Sequence, residues 1–190
     1  MAIDVYRIRL AHTAMPGCAN AALRAIVAMR LGREVELAID PRGKPQLAGR
    51  ELEVNVSHSG ELALIAISDA GAIGVDVEQV RPLHDARAFI KRFFSAAEAA
   101  EAGDELAAIF RTWCRKEALL KARGIGLVMP LAAVDVRSSP PGWLLADLDV
   151  APGYAAAVAR AGEPAELRII DYSDDNVRDA SPAIARNSSR

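Results

Sequence analysis

The stretch Trp113-Cys114-Arg115-Lys116-Glu117-Ala118-Leu119-Leu120-Lys121 lies within the longest periodic segment of the chain, residues 105–123. Apolar residues recur there at helical spacing and Gly124 follows, so the pattern predicts a helix. Glu117 falls on the apolar stripe, where a carboxylate needs a proton or a cation as its partner. Lys121 lies one turn further on and is either a simple surface partner of Glu117 or a cation that binds phosphate.

A second acidic segment, Gly74-Val75-Asp76-Val77-Glu78, lies in a predicted strand over residues 73–80. Because side chains alternate across a strand, Asp76 and Glu78 share one face, about 7 Å apart. Two carboxylates in this arrangement can ligate one hard divalent cation, which prefers oxygen ligands. On its own this pattern more often marks a solvated strand face.

Two shorter motifs precede the acidic strand. In Gly43-Lys44-Pro45 a stiffened loop presents one lysine. Asn55-Val56-Ser57-His58-Ser59 closes a predicted strand and offers hydroxyls, an amide and an imidazole, which suit phosphate oxygens. A lone histidine in a polar turn is more often a surface residue, so neither motif is decisive without the others.

Alternation and helical periodicity predict the remaining elements. Predicted strands cover residues 1–10, 53–57, 62–68, 73–80, 131–136, 143–150, 154–160 and 165–171, and a helix covers residues 19–31. Residues 41–45 read as a loop. Ser95-Ala96-Ala97-Glu98 has the form of a capping box at a helix start.

An internal repeat predicts the organisation of the chain. Residues 62–77 and 154–170 each read as an apolar strand, a glycine-containing turn and a second apolar strand. We therefore expect an α+β fold of two pseudo-symmetric modules, each a small antiparallel sheet packed with a long helix. The predicted modules are residues 1–84 and 85–172, and the polar tail 173–190 is expected to be disordered.

Composition indicates an ordinary globular protein. The 190 residues are 52% hydrophobic and 25% charged, and the net charge of −2 argues against nucleic acid as a partner. No apolar run approaches the ~18–20 residues of a membrane span, and the N-terminus lacks a signal-peptide layout. Cys18 and Cys114 lie far apart without metal-type spacing, so we expect a cytoplasmic protein without a disulfide. One chain with two similar modules is sufficient as a monomer.

In this order, the four motifs resemble those of the Sfp-type 4'-phosphopantetheinyl transferases over roughly residues 20–172. The pairing of the acidic strand with the Trp113–Lys121 stretch is the specific part of this resemblance. It implies an enzyme that transfers the 4'-phosphopantetheine group of coenzyme A to a serine of an apo acyl or peptidyl carrier protein. The reaction would require Mg²⁺, release adenosine 3',5'-bisphosphate and occur between the two modules.

The resemblance also implies roles for individual residues. Glu117, or a water it orients, would take the proton of the carrier serine, and Lys121 would neutralise charge on the pyrophosphate. The implied Mg²⁺ ligands are Asp76, Glu78 and Glu117. The implied ligands of the coenzyme are Lys44, Ser57, His58, Lys116 and Lys121.

Carrier proteins of this system are generally acidic, so the resemblance implies a basic docking surface. Candidates in the second module are Arg87, Lys91, Arg92, Arg111, Arg115, Lys116 and Arg123. These residues could equally form ordinary solvated helix faces. Two other functions stay open, a Mg²⁺-dependent phosphohydrolase and a module that binds coenzyme A without transferring its arm. The intact carboxylates and Lys121 favour the transferase.

Overall fold

In the computed structural model of the protein, the described residues are 2–10, 18–40, 43–49, 51–126 and 130–173. The strands are β1 (Ala2–Arg9), β2 (Leu37–Ile39), β3 (Pro45–Leu47), β4 (Glu53–Ser59), β5 (Leu62–Ser68), β6 (Ile73–Gln79), β7 (Trp143–Asp147), β8 (Tyr154–Ala161) and β9 (Glu166–Tyr172). The helices are α1 (Cys18–Leu31), α2 (Ala86–Phe93), α3 (Ala96–Ala102) and α4 (Leu106–Arg123). The predicted disordered tail lies outside the described residues from residue 174 onward.

Two sheets face each other at the centre of the molecule. The four-stranded sheet has the order β4-β5-β1-β9, the three-stranded sheet has the order β6-β8-β7, and β2 and β3 form a separate hairpin. All pairs are antiparallel except β1 with β9, which run parallel. The predicted α+β fold with small antiparallel sheets is thus confirmed, with one parallel pair added.

Apolar side chains define four layers. Leu23, Ile26 and Val27 of α1 pack on one face of the four-stranded sheet. The opposite face packs on the three-stranded sheet, for example through Val5 and Val75. On the far side of that second sheet, α4 packs against small residues of β8. Alanine at these β8 positions lets the helix approach the strand closely.

The predicted module boundary at residue 84 does not coincide with the division between the sheets. β6 pairs with β8 in the three-stranded sheet, while β9 joins β1 in the four-stranded sheet. Each strand–turn–strand repeat, β5–β6 and β8–β9, therefore crosses from one sheet to the other. Each sheet contains strands from both sides of residue 84, and the division into two modules stays a prediction.

One predicted strand, residues 131–136, is wrong. The segment contains a 3₁₀ turn over Leu131–Ala133 and no strand. The carbonyls of Leu131 and Val134 accept hydrogen bonds from the ammonium of Lys116, and the amide of Val136 donates to Glu98. Side chains of other elements thus satisfy backbone groups that a strand neighbour would otherwise satisfy.

Two features at the helices agree with the sequence analysis. Ser95 and Glu98 form the predicted capping box at the start of α3. Cys114 is a buried free thiol that donates to the carbonyl of Ala155. Helix α2 was not predicted, and neither were β2 and β3, which at three residues each are too short to show alternation. In the part of the chain described, every helix is too short or too polar to cross a membrane.

Candidate active site

The site lies where β6 crosses α4, and Gly74 makes that crossing possible. A Cβ atom at this position would lie 2.1 Å from the carbonyl oxygen of Ala118 and 2.4 Å from the amide nitrogen of Ala122. Both are helix backbone atoms, so only glycine allows the strand to approach this closely. The close approach brings the acidic face of β6 to Glu117 and Lys121 on α4.

The ammonium of Lys121 is held at this crossing by three acceptors. It lies 2.7 Å from Asp76 Oδ1, 3.0 Å from Ser57 Oγ and 3.1 Å from the carbonyl oxygen of Val75. An ammonium has three hydrogens, so these contacts use its full donor capacity. The ion pair of Lys121 is therefore with Asp76 on the strand, and not with Glu117 one turn away on its own helix.

Asp76 and Glu117 each keep one buried oxygen without a hydrogen-bond partner. These atoms are Oδ2 of Asp76 and Oε1 of Glu117. Burial raises the pKa of Asp76, although the nearby Lys121 ammonium, the Ser57 hydroxyl and the Cys114 thiol oppose the rise. Burial also raises the pKa of Glu117, and the neighbouring Asp76 carboxylate raises it further. Two acidic groups of one site thus have a raised proton affinity, a property typical of functional carboxylates.

Glu78 lies at the more open end of the same strand face. Its Oε2 accepts a hydrogen bond of 2.9 Å from Ser59 Oγ and lies 3.2 Å from a guanidinium nitrogen of Arg81. Its side chain is 25% exposed, compared with 6% for Asp76. The acidic face therefore runs from a buried carboxylate to a partly solvated one.

The carboxylate oxygens of this site are chemically suited to bind a hard cation. As the side chains stand, no group of three or more His, Cys, Asp or Glu residues within the described ranges is close enough to hold a metal. However, Asp76 and Glu117 both present buried carboxylate oxygens that lack a partner, and a buried oxygen of this kind calls for a proton or a cation. Carboxylate oxygens are the ligands that Mg²⁺ prefers. Assignment of Asp76, Glu78 and Glu117 as metal ligands stays a prediction.

A cavity of about 260 Å³ lies near the beginning of β6. Lys44, Arg123 and Glu53 are the charged residues among its lining. The guanidinium of Arg123 also lies over the Trp143 ring, with its central carbon 5.4 Å from the ring centroid. The Lys44 ammonium donates to the carbonyl of Ile73 at 3.3 Å and lies 4.0 Å from Glu53. Burial lowers the pKa of Lys44, which the neighbouring Glu53 carboxylate partly offsets. The remaining lining residues are Pro45, Gln46, Leu47, Leu52, Val54, Ala72 and Ala122.

The side chains of Ser57 and His58 lie on opposite faces of β4. Ser57 is buried and its hydroxyl donates to Asp76 Oδ1 at 2.9 Å, whereas His58 is exposed. Adjacent residues of a strand point to opposite faces, so the two side chains diverge. The structure therefore brings Ser57 to the carboxylates and leaves His58 outside this cluster.

Lys116 is separated from the other expected phosphate ligands. It has no exposed surface and pairs with Glu98 at 2.7 Å, while its remaining donors bond to the carbonyls of Leu131 and Val134. Burial lowers the pKa of Lys116, and the Glu98 carboxylate opposes this effect. The structure thus places Lys116 in a buried ion pair with Glu98, and its expected phosphate contact stays a prediction.

The sequence analysis counted Asn55 and Ser59 only as members of a motif that suits phosphate oxygens, and it expected Arg123 on the docking surface rather than at this site. Asn55 and Ser59 flank Ser57 at a spacing of two, and both bond to β6 as Ser57 does. Strand periodicity alone would have placed these three side chains on one face. Arg123 lines the cavity with Lys44, a contact between distant parts of the chain that no local pattern indicates.

Comparisons with known proteins match this part of the fold. The model of the family described as the 4'-phosphopantetheinyl transferase superfamily matches residues 72–175, which include β6 and α4. The 4'-phosphopantetheinyl transferase AcpT of Salmonella typhimurium is 37% identical over 118 residues, 59% of this chain and 61% of that protein. The 4'-phosphopantetheinyl transferase HetI of Nostoc sp. is 35% identical over 161 residues, 74% of this chain and 68% of that protein.

A third relative, AcpT of Escherichia coli, is 35% identical over 118 residues, 59% of this chain and 60% of that protein. The chain thus spans less than two thirds of the AcpT proteins but more than two thirds of HetI. Because the family model also covers more than half of the chain, the chain belongs to the 4'-phosphopantetheinyl transferase superfamily.

Proposed function

We propose that the chain transfers the 4'-phosphopantetheine group of coenzyme A to a serine of an apo acyl or peptidyl carrier protein. The donor would be coenzyme A, the cofactor Mg²⁺ and the second product adenosine 3',5'-bisphosphate. The observation that carries the proposal is the pair of buried, unpartnered carboxylate oxygens of Asp76 and Glu117 beside the fixed ammonium of Lys121. Membership of the superfamily supports the choice of reaction.

Glu117 is the general base of this reaction. Its raised pKa, caused chiefly by burial, gives its carboxylate a higher proton affinity than that of an exposed glutamate. It takes the hydroxyl proton of the carrier serine as the serine oxygen bonds to the β-phosphorus of coenzyme A. The bond from that phosphorus to the bridging oxygen breaks, and adenosine 3',5'-bisphosphate leaves with the bonding electrons.

Lys121 supplies a fixed positive charge next to this centre. Its ammonium is held by Ser57, Val75 and Asp76, so little reorganisation is needed when negative charge moves to the leaving phosphate. Asp76, Glu78 and Glu117 would hold Mg²⁺. When bound, that ion would neutralise charge on the pyrophosphate oxygens.

The nucleotide end of coenzyme A would occupy the cavity that Lys44 and Arg123 line. Lys44 and Arg123 both line this space of about 260 Å³, and Arg123 follows Lys121 by two residues on the chain. Its lining combines apolar residues with Lys44 and Arg123, which suit an adenosine carrying phosphates, and it also contains the acidic Glu53. His58 is an exposed candidate for a peripheral phosphate contact, as the resemblance implies.

An acidic carrier protein would dock on α2 and the adjoining face of α4. Arg87, Lys91 and Arg92 of α2 are exposed, and Arg111 of α4 is exposed as well. Phe89, Phe93 and Trp113 make mutual ring contacts with centroids 5.0 Å apart. A partly exposed aromatic cluster among cations is suited to an acidic protein partner. The proposed surface leaves out two members of the expected set, because Lys116 is buried and Arg115 pairs with Asp147.

The deciding measurement is the intact mass of an apo carrier protein after incubation with this chain, coenzyme A and Mg²⁺. We expect a gain equal to one phosphopantetheine arm, lost when Mg²⁺ is chelated or when the acceptor serine is replaced by alanine. The Glu117→Gln variant is the matched enzyme control. Release of adenosine 3',5'-bisphosphate without any carrier would instead indicate a phosphohydrolase, and binding of coenzyme A without either product would indicate a module that has lost transfer.

A further inference from the structure

The free edge of β6 is satisfied by side chains rather than by another strand. β6 has β8 on one side only within its sheet. On the other side, the amides of Val75, Val77 and Gln79 donate to the side chains of Asn55, Ser57 and Ser59, respectively. The donor–acceptor distances are 2.8, 3.4 and 3.1 Å. Three alternate residues of β4 thus supply the hydrogen-bond acceptors that a second neighbouring strand would otherwise supply to β6.

The two serines repeat one pattern. Ser57 Oγ accepts from the amide of Val77 and donates to Asp76 Oδ1 at 2.9 Å. Ser59 Oγ accepts from the amide of Gln79 and donates to Glu78 Oε2, also at 2.9 Å. In both cases the carboxylate belongs to the residue immediately before the amide. The two serines are two residues apart on β4, and the two carboxylates that they bind are two residues apart on β6.

In this pattern each serine occupies one oxygen of one carboxylate. The Ser57 bond occupies Oδ1 of Asp76 and leaves Oδ2, which is buried and has no hydrogen-bond partner. Ser57 also accepts from Lys121, so its single proton and both acceptor positions are in use. A hydroxyl with all its positions occupied has none left for a nucleotide phosphate.

We propose that Ser57 and Ser59 are positioning residues, which fix Asp76 and Glu78 as a pair of cation ligands by binding each carboxylate and the amide that follows it. This inference rests on the proposed function and replaces the role in nucleotide binding that the resemblance implies for Ser57. Asn55 sets the register through the amide of Val75. Partners of this kind orient metal ligands in proteins, and their removal typically weakens metal binding by about 10- to 100-fold.

The test uses the full chain and its Ser57→Ala, Ser59→Ala and Ser59→Thr variants. Mn²⁺ binding is measured by electron paramagnetic resonance, and binding of adenosine 3',5'-bisphosphate is measured by calorimetry without metal. We expect each alanine variant to bind Mn²⁺ about 10-fold or more weakly, with nucleotide binding unchanged. Ser59→Thr keeps the hydroxyl and should restore Mn²⁺ binding. Ser68→Ala is the matched control, because Ser68 is a buried strand serine whose hydroxyl bonds to the backbone of Ala70.

Amide hydrogen exchange of the metal-free protein gives a second readout. Exchange at Val77 should rise in Ser57→Ala and exchange at Gln79 in Ser59→Ala, each by about 2- to 10-fold, as expected for the loss of one hydrogen bond. This readout also holds if one variant is too unstable for binding studies.

Unchanged Mn²⁺ affinity in both alanine variants would overturn the inference. So would a loss of nucleotide affinity alone in Ser57→Ala. A wild-type chain that binds Mn²⁺ in the expected serine-dependent way but modifies no carrier would overturn the proposed function and leave the positioning role standing.

Discussion

The ammonium of Lys116 lies 2.7 Å from Oε2 of Glu98, and neither side chain has any exposed surface. The same carboxylate accepts the amides of Ser95 and Val136. The pair therefore links α3, α4 and the segment after α4. Because Glu117 follows Lys116 on the helix, this buried link also holds the part of α4 that carries the proposed base.

Replacing Lys116 by alanine should lower the free energy of unfolding by about 3–5 kcal/mol, because the Glu98 charge stays buried without its partner. Urea titration followed by circular dichroism measures this loss. The double variant Lys116→Met with Glu98→Gln should recover part of it, since no unpaired charge remains. If Lys116→Ala keeps its stability and loses affinity for adenosine 3',5'-bisphosphate, the phosphate role from the resemblance is correct and the structural role is wrong.

The Glu117→Gln variant should lose at least about 10²-fold in transfer rate, because an amide cannot act as the base. Its stability should respond to pH in a defined direction. Since the folded-state pKa of Glu117 is raised, mainly by burial, the wild type loses stability as pH rises from the unfolded value of about 4.3 through the folded pKa. Glutamine does not ionise, so the Tm of the variant relative to wild type should increase over this range.

Thermal melts at closely spaced pH values check this second effect. Glu101→Gln is the control, because Glu101 is exposed on α3. A Tm difference between Glu117→Gln and wild type that stays constant with pH would count against a buried carboxyl at this position.

Gly74→Ala should disrupt the crossing of β6 and α4. The new Cβ would lie 2.1 Å from the carbonyl oxygen of Ala118, a backbone atom that cannot move without shifting the helix. We expect a loss of about 1–3 kcal/mol in the free energy of unfolding, as for an overpacked core, together with weaker Mn²⁺ binding. Gly49→Ala is the control, because its Cβ would meet only the flexible side chain of Glu51. Equal stability of the two variants would contradict the close approach.

Lys44→Gln should weaken binding of adenosine 3',5'-bisphosphate by about 10-fold or more, the effect of losing one charge-assisted hydrogen bond. Glu53→Gln should have the opposite effect, because it removes a negative charge 4.0 Å from the Lys44 ammonium. Calorimetry with the nucleotide alone measures both, and Lys91→Gln on exposed α2 is the control. Equal affinities in Lys44→Gln and Lys91→Gln would show that the nucleotide lies elsewhere.

Local periodicity was enough to find the elements that carry the site. The prediction for β5 agrees with the structure at both ends, and α4 begins one residue later than predicted. Asp76 and Glu78 were placed on one strand face for the same reason. Alternation and helical spacing are properties of neighbouring residues, so a single sequence carries them in full.

The partners of the charged side chains were decided by tertiary structure. Lys121 pairs with Asp76 on β6, although Glu117 is the nearer carboxylate in sequence. Lys116 is buried because Glu98, from another helix, lies against it. A pattern in one helix indicates the face on which a lysine lies, but not the element that will cover that face.

The segment 131–136 also shows the difference between what the local pattern indicates and what tertiary contacts decide. Its apolar spacing resembles a strand, yet its backbone groups bond to the side chains of Lys116 and Glu98. By itself the sequence therefore determined the strand and the helix that carry the site and which carboxylates lie together on the strand. Only the tertiary structure decided which cation, hydroxyl or carbonyl each charged group faces, because burial and hydrogen bonding depend on contacts between residues far apart in the chain.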